Sequence, residues 1–195
     1  MSQKNIQHRN RGFTLTEMAI VLGVIGLILG AIWVAAASVY ANLYVSEAST
    51  ETIMIVQNFK ALYGINRNGQ ASNGMDITAL AINAGLIPSN MIQTGNTSYA
   101  LGPWSNSQVN VYSGSTWNAI TVAFWNISQS TCNRLADSIA TGSAFPADGL
   151  VWEGVNSTYR TLPPFGTDVS LTPSDVATAC VSGMNNNVQI TYTVN

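Results

Sequence analysis

The residues Arg11-Gly12-Phe13-Thr14-Leu15-Thr16-Glu17 introduce a stretch, from Met18 to Val45, that contains no Asp, Glu, Lys or Arg. A helix needs about 20 apolar residues to cross a bilayer, and this stretch is longer. Glu17 places a carboxylate at its start, and an unpaired charge costs several kcal/mol when it is buried in lipid. The position of Glu17 therefore indicates a specific role for this carboxylate. The alternative is an ordinary anchor with Glu17 at the level of the lipid headgroups.

The segment before Phe13 is short, polar and basic. It carries Lys4, Arg9 and Arg11 out of the seven basic residues of the chain, and also the single histidine, His8. Positive charge ahead of an apolar segment keeps that end in the cytoplasm, so the residues after the helix are expected outside. The segment lacks the apolar core of a secretory signal peptide, so the apolar stretch is expected to remain in the mature chain.

These features together resemble the prepilins of type IV pili and their relatives in type II secretion systems. That family has a short basic leader ending in Gly, then Phe-Thr-Leu-x-Glu, and here these positions are Gly12 and the run from Phe13 to Glu17. The resemblance implies that a prepilin peptidase cuts between Gly12 and Phe13 and methylates the new amine of Phe13. It also implies that Phe13 and Glu17 act in subunit assembly, with Glu17 of one subunit neutralising the Phe13 amine of a neighbour.

The resemblance implies partners and a location as well. A homo-oligomeric helical filament would be built by the inner-membrane pilus assembly machinery. Before assembly the protein would cross the inner membrane of a bacterium once, with its C-terminal domain outward, and afterwards it would lie in an extracellular pilus. A pseudopilin of a type II secretion system is the main alternative, and a signal-anchored binding domain is the second.

The subclass of pilin stays open at this point. The length of the chain and its cysteine-bounded segment are more similar to b-type pilins, including the thin-pilus pilins of conjugative systems. The phenylalanine at the cut site and the short leader are closer to the a-type pattern.

The composition of the mature chain argues against nucleic-acid binding and against catalysis. Its basic residues are Lys60, Arg67, Arg134 and Arg160, against nine acidic residues, and phosphate binding depends on basic side chains. Without histidine in the mature chain, Ser-His and Cys-His nucleophiles are absent, and so are most kinds of zinc site. We therefore expect no enzyme activity, no cofactor and no metal site.

The two cysteines, Cys132 and Cys180, both fall in the outward domain. An even pair in an oxidising compartment predicts a disulfide, and two buried free thiols are the alternative. In the chain-entropy account, closing a loop of this length contributes about 4 kcal/mol. A C-terminal disulfide is also what the resemblance to pilins implies.

The periodicity and the resemblance together predict an α+β fold of the type IV pilin kind, with a long N-terminal helix packed on an antiparallel sheet and a disulfide-bounded C-terminal region. Residues 1–12 would be the leader, 13–40 the transmembrane or filament-core half of the helix, and 41–195 the outward domain. A helix from Phe13 to Tyr63 is roughly 75 Å long. Its second half is amphipathic, with Glu51 away from the buried face. That face comprises Val45, Ala48, Thr52, Ile55, Phe59 and Leu62.

Shorter elements follow from turn and cap residues. Helices are predicted after Asp76, after Ser128 and from Thr172-Pro173 onward. The predicted strands are Val109 to Tyr112, Ala119 to Ile127, Leu150 to Trp152 and Val188 to Val194.

Two groups of residues could be read as a glycosylation site or a sugar-binding site, but we do not assign either role from the sequence. The Asn-x-Ser/Thr triplets at Asn96, Asn126 and Asn156 are common in so polar a chain, and we assign no glycan to them. Four tryptophans of the outward domain are expected to be core or subunit-contact residues in preference to a sugar site. These are Trp104, Trp117, Trp125 and Trp152.

Processing gives the first testable prediction. Gly12 has no side chain, which suits a close approach of the backbone to a peptidase. We expect a bulky residue at Gly12 to leave uncut precursor in the inner membrane. Mass spectrometry of the wild-type mature protein should find a chain that begins at Phe13 and carries a methyl group on its amine. A mature chain beginning at any other residue would contradict the assignment.

Overall fold

The structure is a computed structural model that describes residues 14–63, 74–114, 119–146, 148–162 and 166–194. It confirms the α+β fold, because a 49-residue N-terminal helix, a six-stranded antiparallel sheet and a C-terminal disulfide are all present.

The chain forms two compact units, Met1–Tyr40 and Ala41–Asn195. The helices are α1 Leu15–Tyr63, α2 Thr78–Asn83, α3 Gln129–Ala140 and α4 Pro173–Ala179, with one 3-10 turn at Ser89–Met91. The strands are β1 Ala100–Leu101, β2 Gln108–Ser113, β3 Ala119–Ile127, β4 Leu150–Val155, β5 Thr158–Thr161 and β6 Asn186–Thr193.

The last strand of the chain lies in the middle of the sheet. The strand order is β1-β2-β3-β6-β4-β5, so β6 pairs with both β3 and β4. Side chains alternate between the two faces of a strand. One row on the buried face runs across four strands, through Val111, Val122, Ile190 and Glu153.

The second half of α1 belongs to the core of the C-terminal unit. Five of the six residues predicted to face the sheet are buried, but Leu62 is 49% exposed and that part of the prediction is wrong. Glu51 was predicted on the exposed side and is 4% exposed. Asn90 donates a hydrogen bond to its Oε1 at 3.0 Å, a partner distant in sequence that helical periodicity does not reveal.

Strand β3 has the predicted bounds, the other predicted elements are present with changed bounds, and two strands were missed. α2 begins at Thr78, and the Asp76 carboxylate accepts the Thr78 backbone N–H at 2.9 Å. β4 extends beyond the predicted Trp152 to Val155. It is followed by the unpredicted β5, after a tight turn in which Asn156 has a φ of 51°. β1 is short and pairs with β2, which explains why no alternating pattern reveals it.

Two of the three predicted helix caps are present, but the prediction of Asp76 as the cap of α2 is wrong, because Ile77 occupies that position without a side-chain cap. The Ser128 side chain accepts the Thr131 N–H at the start of α3. At α4, Thr172 and Asp175 form a reciprocal capping box, with Pro173 in the first helical position. Caps of this kind each contribute about 1 kcal/mol, so both short helices have well-defined starts.

A disulfide joins Cys132 in α3 to Cys180, the residue that follows α4. The two Cα atoms are 5.9 Å apart, within the usual range for a disulfide. The Gln129 amide donates to the carbonyl oxygen of Cys180 at 3.0 Å, so α3 holds this segment by a hydrogen bond as well as by the covalent bond.

Two asparagines connect the disulfide segment to the sheet. Asn186 is fully buried at the start of β6, and its side chain donates to the Val181 carbonyl and accepts the Val181 N–H, at 2.9 and 2.7 Å. Asn156 donates to the Ala179 carbonyl and to the Asn186 side chain, at 2.6 and 3.0 Å. Because buried polar groups are costly when unpaired, this network fixes how the segment around Cys180 enters β6.

The disulfide generates a prediction about stability. Cys132→Ser and Cys180→Ser should each lower the free energy of unfolding by about 4 kcal/mol, since either change opens the same loop of 48 positions. The double variant should be no less stable than either single variant. Urea unfolding of the processed protein in detergent, followed by near-ultraviolet circular dichroism, measures these differences. Rapid labelling of both thiols in the native wild-type protein would show that the bond is absent.

Glu153 is an acidic residue within the buried face of the sheet and is 1% exposed. Its Oε1 accepts the backbone N–H of Leu171, whereas its Oε2 has no hydrogen-bond partner among the described residues. Burial raises the pKa of this carboxyl above its ordinary value of 4.5, although the Leu171 N–H and the positive charge of Arg160 act in the opposite direction. The folded protein therefore binds this proton more tightly than the unfolded chain does.

This shift predicts a pH dependence of stability. Above the ordinary pKa of 4.5 the unfolded carboxyl is mostly ionised, whereas the folded one loses its proton at a higher pH. The contribution of Glu153 to stability is thus complete at lower pH and is lost as the pH rises through the folded-state pKa. Glu153→Gln imitates the protonated form and should remove that part of the pH dependence, making the variant more stable than the wild type at neutral pH. Urea midpoints measured across this range provide the test, and parallel curves for the two proteins would contradict it.

Candidate functional site

The first half of α1 presents apolar side chains on every side. Leu15 is 88% exposed, and the other large apolar residues of this segment are also exposed. Within the described part of the chain, α1 is the helix that is long and apolar enough to cross a membrane. Water is a poor environment for so much apolar surface, and hydrocarbon or neighbouring apolar helices are good ones. These residues are Leu15, Met18, Ile20, Val21, Leu22, Val24, Ile25, Leu27, Ile28, Leu29, Ile32, Trp33, Val34 and Val39.

Glu17 lies in the first turn of this helix and forms a capping box with Thr14. Its Oε2 accepts the Thr14 backbone N–H at 2.9 Å and the Thr14 hydroxyl at 3.0 Å. In return, the Thr14 hydroxyl oxygen accepts the Glu17 backbone N–H at 3.2 Å. The carboxylate therefore lies at the positive end of the helix dipole.

This cap was not predicted, although the sequence contains a local signal for it. The spacing Thr14-Leu15-Thr16-Glu17 has the S/T-x-x-E pattern of a capping box ahead of an apolar run. The structure thus gives Glu17 a local partner one residue away from Phe13. Gly12 and Phe13 themselves lie outside the described residues, so the cleavage and methylation sites remain predictions.

The tryptophans are distributed over both faces of the sheet. Trp104 packs edge-to-face on buried Phe124, with ring centroids 5.9 Å apart, and so belongs to the edge of the core. Trp125 and Trp152 are half-buried on the opposite face. Trp117 lies outside the described residues. Within the described ranges, no group of three or more His, Cys, Asp or Glu side chains could hold a metal ion.

Two models of known protein families match the chain, one over its N-terminal segment and one over the rest. Residues 7–33 match the model of the prokaryotic N-terminal methylation motif, which covers the predicted cut site and Glu17. Residues 44–195 match the model described as PilS N terminal. No curated protein matches the chain.

The methylation motif, the apolar helix, the sheet and the disulfide define a type IV pilin-like prepilin. The chain belongs to the PilS N-terminal family, whose model covers most of its length. It is therefore a type IV pilin-like subunit. Its motif implies processing by a prepilin peptidase and fits anchoring in the inner membrane before assembly.

Proposed function

We propose that this protein is the major structural subunit of a type IV pilus. In this proposal the peptidase removes residues 1–12, and residues 13–40 hold the subunit in the inner membrane before they enter the filament core. Residues 41–195 form the outward domain, and the protein is structural, without enzyme activity. The observation that carries the proposal is the exposed apolar surface of α1, which begins with a single carboxylate and coincides with the methylation motif.

The exposed apolar surface supports polymerisation through α1. Each Å² of apolar surface removed from water contributes about 25 cal/mol, so helices packed together in a filament core would supply most of the holding energy. That energy has little directional preference, because an apolar surface can slide along another. A second interaction must therefore select the position of one subunit against the next.

Glu17 is suited to that selection. A carboxylate in a water-excluded core is costly unless it is paired, and its attraction to a positive partner is strong at low effective dielectric. The methylated amine of Phe13 on a neighbouring subunit would be that partner. Because Glu17 already accepts two hydrogen bonds from Thr14, the incoming amine would share the carboxylate with the cap or replace it.

Substitutions at Glu17 test the proposal. They also separate the effect of the Glu17 charge from the effect of its capping box with Thr14. Glutamine can serve in a capping box as glutamate does, so Glu17→Gln keeps the cap and loses the charge. Glu17→Ala loses both. We expect both variants to be inserted and cut normally, yet to give few or no filaments when surface pili are counted by electron microscopy. Normal piliation by Glu17→Gln would show that the cap alone is required.

Glu47→Gln is the matched control, since it makes the same chemical change at an exposed position of α1 outside the apolar stretch. It should leave piliation unchanged. Immunogold labelling of surface filaments also addresses the alternative role. A pseudopilin of a type II secretion system would leave cells without surface filaments that contain this protein, and its loss would instead stop export of secreted enzymes.

A further inference from the structure

The face of the sheet that points away from the core carries a row of polar and aromatic residues. Across the strands from β2 to β5 the register aligns Tyr112 with Thr121, Thr121 with Thr191, Thr191 with Trp152, and Trp152 with Thr161. The next row contains Gln189 opposite Gly154. The rings of Tyr112 and Trp152 thus lie on either side of the central pair Thr121 and Thr191.

These rows line an open groove of about 560 Å³, a volume typical of small-molecule sites. The hydroxyl groups of Thr121 and Thr191 are hydrogen-bonded to each other at 2.7 Å on its floor. Hydroxyl and amide groups can donate and accept hydrogen bonds at once, so this floor can bind a ligand that does the same. Its lining includes Tyr112, Thr121, Trp152, Thr161, Gln189 and Thr191.

The Trp152 ring is held in place before any ligand arrives. Tyr159 stacks on it with ring centroids 5.0 Å apart and an interplanar angle of 18°. Gly154 makes this stacking possible, because a Cβ at that position would lie 2.5 Å from Cδ1 of Tyr159 and 3.1 Å from Trp152. A rigid aromatic surface loses little conformational entropy on binding, so Trp152 is preorganised for contact with a ligand.

The charge of the groove restricts the class of ligand. The described residues that line it include no Asp, Glu, Lys or Arg, so these lining side chains offer no counter-charge to a phosphate or a carboxylate. The hydroxyl and amide groups of its floor can form more hydrogen bonds than the one between Thr121 and Thr191, and a purely apolar ligand would leave that capacity unused. A sugar ring matches both features, since it has a C–H face for an aromatic ring and hydroxyl groups at its edges.

We propose that this groove is a binding site for neutral carbohydrate. Trp152, backed by Tyr159, contacts the apolar face of a sugar ring, and Gln189 with the two threonines binds its hydroxyl groups. Such a site lies on the outward domain and is separate from the assembly surface of α1. The ligand could be a neutral glycan of a cell surface or a neutral polysaccharide secreted by bacteria, since both present the same groups.

The test uses the full processed chain in a detergent without a sugar headgroup, because an alkyl glycoside would itself compete for the groove. Neutral host-type oligosaccharides, neutral bacterial polysaccharide fragments and sialylated oligosaccharides are titrated separately while tryptophan fluorescence is recorded. We expect saturable binding of at least one neutral set, and the set that binds identifies the source. If neither neutral set binds, or if the sialylated oligosaccharides bind more tightly than the neutral ones, the proposal is overturned.

Variants locate the binding. Trp152→Ala should weaken it by about tenfold, the size expected for loss of one aromatic contact. Gln189→Ala should weaken it as well, with near-ultraviolet circular dichroism confirming the fold of each variant. Trp104→Phe is the matched control, because it alters a tryptophan on the core side of the sheet and should leave affinity unchanged. If Gln189→Ala and Trp152→Ala are both folded and both bind the saccharide with unchanged affinity, the binding site lies elsewhere and the assignment is refuted.

Discussion

The structure of the outward domain depends on the position of β6, which is the last strand in the chain and lies between β3 and β4. Until it pairs, the sheet is two separate parts, and the buried row from Val111 to Glu153 has a gap at Ile190. Such non-local pairing is entropically costly, because long loops must close before any contact forms. The disulfide reduces that cost, and the Asn156–Asn186 network directs the segment after Cys180 into the strand.

The completed sheet is what allows α1 to bury its second half. Ala48, Ile55 and Phe59 are buried only because the sheet, with the helices beside it, offers a continuous apolar surface. The first half of the same helix has no such cover within the subunit and leaves its apolar side chains exposed. A single helix thus has one half stabilised within the subunit and another half that is stable in lipid or against other helices. This division is what a subunit that moves from a membrane to a filament requires.

The two faces of the sheet have different chemistry. The inner face is mostly apolar, and its buried acidic residue is Glu153, whose carboxyl has a pKa raised by burial. The outer face combines threonine hydroxyls with Trp152 and Tyr159, and it lies on strands whose other face packs in the core. A binding surface on rigid strands needs less ordering when a ligand arrives than a surface on loops does. The filament and the carbohydrate groove are therefore independent proposals that rest on separate parts of the chain.

Local patterns in the sequence determined the elements whose signals are local. The apolar stretch with Glu17 at its start predicted α1 and the family, and Ser128 and Thr172 predicted the caps of α3 and α4, because capping is an interaction between residues three positions apart. The even pair of cysteines predicted the disulfide. Only the tertiary structure decided the burial of Glu51 and the central position of β6, since each depends on partners far along the chain. The strand β5 was also missed, although it pairs with the neighbouring β4. The outer groove likewise arises from strand register, which brings Tyr112, Thr191 and Trp152 into one row that no periodicity in the sequence connects.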